Sequence, residues 1–188
     1  MKKTSSISAL GVYALLLCGV CLHYSCRLDR SDCSKYEITQ QETAFLSAYN
    51  KGDIAFFKND TTGVFDTLHV IDMGYGSGYY GEPCNKTVNT ALNAQFSFSH
   101  LHGCGVYIWH NTIPEIIYSY TNYEFLLSGS LQSMTINSTS FNDVYIPSLD
   151  STKITSADRN SVPWKIAYSK SKGFIRFYMV NGQTWSKL

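Results

Sequence analysis

Hydrophobic positions divide the chain into one continuous apolar run and a long series of short alternating ones. Ile7 to Leu22 is almost unbroken, preceded by Lys2 and Lys3. This run is shorter than the ~20 residues a membrane-spanning helix needs, and nothing comparable follows it. A positive start, a short apolar core and small residues after it predict a secretory signal over residues 1–25. The next pattern is helical. Thr39-Gln40-Gln41-Glu42 matches a capping box, and Ala44, Phe45, Ala48 and Tyr49 follow at helical spacing. One short helix is expected from about Gln40 to Asn50, ended by Lys51-Gly52-Asp53.

Period-two alternation then takes over. Strands are expected over Ile54 to Lys58 and Val64 to Ile71, around a loop ending in Gly63, and over Val88 to Ser99, Gly105 to His110 and Ile116 to Leu127. Leu131 to Ile136 and Val144 to Ile146 follow. The glycine- and tyrosine-rich stretch Met73 to Pro83 reads as a loop. The sharpest signal comes near the end. Trp164 to Phe177 is a β-hairpin with Ile166, Tyr168, Phe174 and Phe177 as its bulky positions and Lys170-Ser171-Lys172-Gly173 as its turn. A second turn at Asn181-Gly182 leads to Thr184-Trp185. If that hairpin builds the core, Trp164→Ala and Phe174→Ala should each cost about 3–5 kcal/mol.

Nine or ten strands joined by short polar links predict an all-β fold: a single antiparallel meander forming a sandwich or open barrel, with one short N-terminal helix. Composition agrees, with 14% aromatic residues and fourteen tyrosines against four prolines. The organisation is a signal at 1–25, a polar tether at 26–38 and one β-rich domain at 39–188. Net charge is +1 and no basic stretch stands out, which argues against a nucleic-acid partner.

Cysteines refine the picture. Cys26 follows Ser25 just beyond the apolar run, the arrangement of a signal whose first mature residue is a lipidated cysteine; plain cleavage near Ser25 is the alternative. A diacyl or triacyl cysteine would satisfy the need for more than one chain in a stable anchor. Cys84 and Cys104 are the cysteines within the β-rich region, and an exported protein would join them in a disulfide, worth roughly 3 kcal/mol in the chain-entropy model. Cys33 is left over in the tether.

Candidate chemistry is sparse. His100, His102 and Cys104 would share one face if they lay on a strand, and His110 follows; together they are the only group with the makings of a metal site. Tyr75, Tyr79 and Tyr80 could stack on a glycan or pack on a partner protein. The glycines around them lack the Lys-Ser/Thr pair of a phosphate-binding loop. No paired carboxylates and no nucleophile elbow are evident, and no cofactor is implied.

Several segments together carry a resemblance. Tyr49-Asn50-Lys51-Gly52-Asp53, Phe65-Asp66-Thr67-Leu68, Phe141-Asn142-Asp143-Val144-Tyr145, Tyr168 to Phe177 and Gly182-Gln183-Thr184-Trp185 are similar to small secreted β-rich lipoproteins of the Bacteroidetes, over most of residues 45–188. The group has no assigned activity. The resemblance implies export to the cell envelope, an outer-membrane lipid anchor, and O-glycan acceptor patterns at Asp60-Thr61-Thr62, Asp66-Thr67-Leu68 and Asp150-Ser151-Thr152. The function expected is an anchored binding or structural accessory without a catalytic site, with an envelope protein or glycan as partner. The alternative is a periplasmic metal-binding protein or enzyme using His100, His102, Cys104 and His110.

Overall fold

The computed structural model describes residues 37–78, 88–118 and 123–188. The signal, most of the tether, Cys26, Cys33, Tyr79, Tyr80 and Cys84 lie outside the described residues.

The helical signal is realised in shortened form. Thr39 caps α1 (Gln40–Thr43): its hydroxyl accepts from the Glu42 amide at 3.2 Å, and the Glu42 carboxylate accepts from the Thr39 amide at 2.6 Å. Instead of continuing to Asn50, the backbone tightens into a 3-10 turn at Ala44–Leu46. That turn drives Phe45, Leu46 and Tyr49 into the core. Glu42 also accepts from the Asn111 amide at 2.7 Å and faces His110 Nδ1 at 3.3 Å, tying the helix to the far end of the domain. Burial alone would raise the Glu42 pKa, but the Thr39 and Asn111 amides, the Thr39 hydroxyl and His110 together hold it below the usual carboxylate value.

Apart from a 3-10 turn at Ser151–Lys153, the remaining regular structure is antiparallel sheet. β1 (Ile54–Asn59), β2 (Phe65–Gly78), β3 (Val88–Ser97), β4 (Cys104–Trp109), β5 (Glu115–Tyr118) and β6 (Glu124–Leu126) form one meander. β7 (Gln132–Ile136), β8 (Thr139–Tyr145), β9 (Pro163–Ser169), β10 (Gly173–Met179) and β11 (Thr184–Lys187) form a second. First and last strands pair in the middle, Phe57 opposite Lys187 and Asn59 opposite Trp185, giving the order β6-β5-β4-β3-β2-β1-β11-β10-β9-β8-β7. The meander expected from the sequence is therefore an open half-barrel, with eleven strands among the described residues.

The connectivity requires the sheet to curl. Ten flat intervals between β6 and β7 would span about 48 Å at ~4.8 Å each. The linker from Leu126 to Gln132 can reach only about 22 Å even when fully extended. The core shows the same curvature. Phe96 of β3 and Phe174 of β10 are four strand positions apart in the sheet, yet their rings meet edge-to-face at 5.3 Å. Phe57, Phe177, Tyr168 and Tyr49 complete the cluster, all buried, with neighbouring centroids 4.8–6.4 Å apart. The concave side is filled by the protein's own rings.

Two strand assignments change. Met73 to Gly78 extends β2 and is not a loop: Met73, Gly74, Tyr75 and Gly76 pair with Ala94, Asn93, Leu92 and Ala91. Glycine suits this strand, because a Cβ on Gly76 would lie 3.3 Å from that of Ala91. Residues 116–127 split into β5 and β6, which pair with each other as a hairpin.

Candidate functional site

Two carboxylates, Asp66 buried and Asp143 half-buried, position the loops around which the candidates lie. Asp66, on the inward face of β2, accepts from the amides of Ser99 (2.7 Å), His100 (3.1 Å) and Leu101 (3.1 Å). These bonds hold residues 99–101 as a bend, so His100 and His102 precede β4 instead of lying on it. Asp143 does the same for the β9–β10 turn. Its carboxylate accepts from the Ser169 hydroxyl at 2.6 Å and the Ser171 amide at 2.7 Å. Desolvation would raise its pKa, yet these two serines outweigh it and lower the value. Both aspartates belong to the segments quoted above as motifs, and both are structural.

The bend separates the metal candidates. His100 is exposed, 3.7 Å from the Asp66 carboxylate and stacked on Trp185. His102 donates its backbone N–H to the Ser161 carbonyl at 2.9 Å, and its buried Nδ1 has no hydrogen-bond partner among the described residues. Cys104 points into the core at the start of β4, whereas His110 lies beyond the other end of that strand with Glu42 and Asn111. The shared face expected of positions 100, 102 and 104 needs an extended backbone that residues 99–103 do not have. No three metal-ligating side chains converge among the described residues.

Cys104 is the half of the expected disulfide that the structure describes. Among the described residues its thiol is free and 1% exposed, beside the buried hydroxyls of Tyr118, Tyr168 and Tyr49. The strand alternation that sends Phe96 and Tyr118 inward on either side sends Cys104 inward with them. Its expected partner, Cys84, lies outside the described residues. Burial pushes the Cys104 thiol far above its ordinary pKa, so it carries no thiolate near neutrality. We expect iodoacetamide to leave Cys104 unlabelled in the native chain at pH 8 and to label it fully in denaturant without prior reduction. Peptide mass spectrometry reads both results. Native labelling, or a requirement for reductant, would contradict a buried free thiol.

Of the three tyrosines, Tyr75 is 57% exposed on β2; Tyr79 and Tyr80 lie outside the described residues.

A site not visible in the sequence lies on the convex side. The β7–β8 hairpin turns through Asn137 (φ 48) and Ser138 (φ 67), a two-residue turn with both residues left-handed. Ile136, Met134, Phe141 and Val144 of this hairpin pack on Ala167 and Ile175. In β9, Ala167 lies between the core residues Ile166 and Tyr168, so this small cluster is on the opposite face from the main core. Folded back this way, the hairpin tip reaches β11, where Asn137 Nδ2 donates to the Lys187 carbonyl at 3.3 Å. Between tip and sheet is a cleft of about 780 Å³, within the range of small-molecule sites.

Lys58, Lys172 and Lys187 line the cleft beside Ile136, Phe141 and Leu188. The one acidic side chain there, Asp60, is already engaged by Ser186 at 2.8 Å and Arg176 at 3.2 Å. None of the three lysines is ion-paired among the described residues. Lys58 Nζ sits 5.9 Å from the Phe65 ring centroid, and Lys187 Nζ donates to the Lys172 carbonyl at 2.8 Å. Burial, and then the neighbouring Lys172 charge, lower the Lys187 pKa. Scans of the chain against protein-family models, curated proteins and solved structures find no match.

Proposed function

We propose that this chain is an exported protein held at a membrane face by a lipid on Cys26, and that its half-barrel serves the cell envelope as a binding or structural accessory, acting through its surface and not by catalysis. Export and anchoring rest on Lys2, Lys3, the apolar run to Leu22 and the Ser25-Cys26 junction. The observation that carries the second half is the filled interior. Phe57, Phe96, Phe174 and Phe177 occupy the concave side, which leaves no room for a lipocalin-style ligand in that aromatic cluster. Recognition then falls to the convex face and the rim, with Tyr75 among the exposed side chains available to a glycan or envelope protein.

Intact mass of the membrane-extracted protein tests the anchor. The expected species begins at Cys26 and carries two or three acyl chains. A species retaining Met1, or one beginning near residue 26 without lipid, would overturn it.

A further inference from the structure

We propose that the cleft under the β7–β8 hairpin binds a single-chain anionic amphiphile, its phosphate or carboxylate head among Lys58, Lys172 and Lys187 and its chain against Phe141 and the exposed apolar strip beyond. This rests on reading the domain as a binding module and is independent of export and of the lipid on Cys26.

The charge argument comes first. Three lysines line one concavity with a single acidic side chain, and that side chain is committed to Arg176 and Ser186. Like charges held together in a half-enclosed space repel more strongly than they would in open water. An anion placed among them relieves that repulsion. The depression of Lys187 by its own burial and by Lys172 is in the same direction.

The walls decide what the anion is attached to. On one side are Ile136 and Phe141, on the other Leu188. Leu188 continues directly into more apolar surface: its amide donates to the Phe56 carbonyl at 3.0 Å, opposite it in the β1–β11 register. Phe56 is 54% exposed, and Phe65, beside Lys58 across β1–β2, is 56% exposed. Inorganic phosphate would leave this strip in water. A chain of about eight carbons would cover part of it and take that apolar surface out of water.

Octyl phosphate is the probe. The purified full chain, in maltoside detergent, is reductively methylated with and without it, and each lysine is followed by peptide mass spectrometry. Octyl phosphate is expected to slow modification of Lys58 and Lys172 at least fivefold while leaving Lys51 and Lys153 unchanged. Octyl glucoside, which has the chain without the charge, and inorganic phosphate, which has the charge without the chain, are expected to protect neither. Lys172→Gln, in an exposed turn, should weaken protection of Lys58 about tenfold, and Phe141→Ala should do so through loss of the apolar wall. Equal protection by inorganic phosphate would overturn the amphiphile, and no protection by octyl phosphate would overturn the site. A lipidated mass at Cys26 with no protection here would leave the anchored-accessory reading standing and this cleft excluded.

Discussion

Phe174→Ala is expected to lower the unfolding free energy by about 3–5 kcal/mol, the range for deleting a fully buried phenyl ring. Phe174 has no exposed surface and meets four rings: Tyr49, Phe96, Tyr168 and Phe177. Cost at such a site depends on whether the neighbours can collapse into the space, and here two of them are tethered. Tyr49 accepts from the Phe174 amide at 2.6 Å, and the Tyr168 hydroxyl donates to the Phe45 carbonyl. Phe96 belongs to β3, so the same ring also bridges the two meanders. Trp164→Ala, expected from the sequence to be equally severe, should cost only about 1–2 kcal/mol. Trp164 is half-buried and outside the main cluster, with Lys165 Nζ 5.9 Å from its ring centroid, so less apolar surface is lost to water. Urea unfolding of the two variants checks both values. An unchanged midpoint for Phe174→Ala would mean the two meanders do not share this core.

The contrast between these residues shows what the sequence made legible. Alternation identified Ile166, Tyr168 and Phe174 as one face of the final hairpin, and the structure buries all three together. Phe177 breaks strict alternation with Phe174. It reaches the same side because the register shifts between Phe174 and Arg176, a bulge that periodicity cannot place. The bend at Ser99 to Leu101 was hidden for a different reason. Its determinant, Asp66, is more than thirty residues earlier, and local pattern favours a strand through His100. The cleft is further removed still. Lys58, Lys172 and Lys187 come from three separate parts of the chain and meet only because β1 pairs with β11 and the β7–β8 hairpin folds back. Short-range pattern found the faces of strands; side-chain hydrogen bonds and strand order, acting over long separations, built the site.

The turn between β9 and β10 carries the second large effect. Gly173→Ala is expected to cost about 2–5 kcal/mol, from two sources that can be separated. Gly173 has φ +71, a left-handed backbone that costs an L-residue roughly 1–2 kcal/mol. A Cβ there would also collide with the Oη and Cζ of Tyr49. Tyr49 would have to retreat, leaving the Phe174 amide buried and unpaired, a loss of about 1–3 kcal/mol. Tyr49 is thus the pin between the N-terminal turn and the hairpin, and glycine is what lets the pin seat. A double-mutant cycle with Tyr49→Leu isolates this coupling. With the phenol gone, Gly173→Ala should cost only the backbone share, about 1–2 kcal/mol, and its penalty in the native background should exceed that by the remainder. Equal penalties in the two backgrounds would mean that Gly173 is required for its dihedral angles alone, and that the turn is set by Asp143 and the serines, with no part played by the tyrosine beneath it.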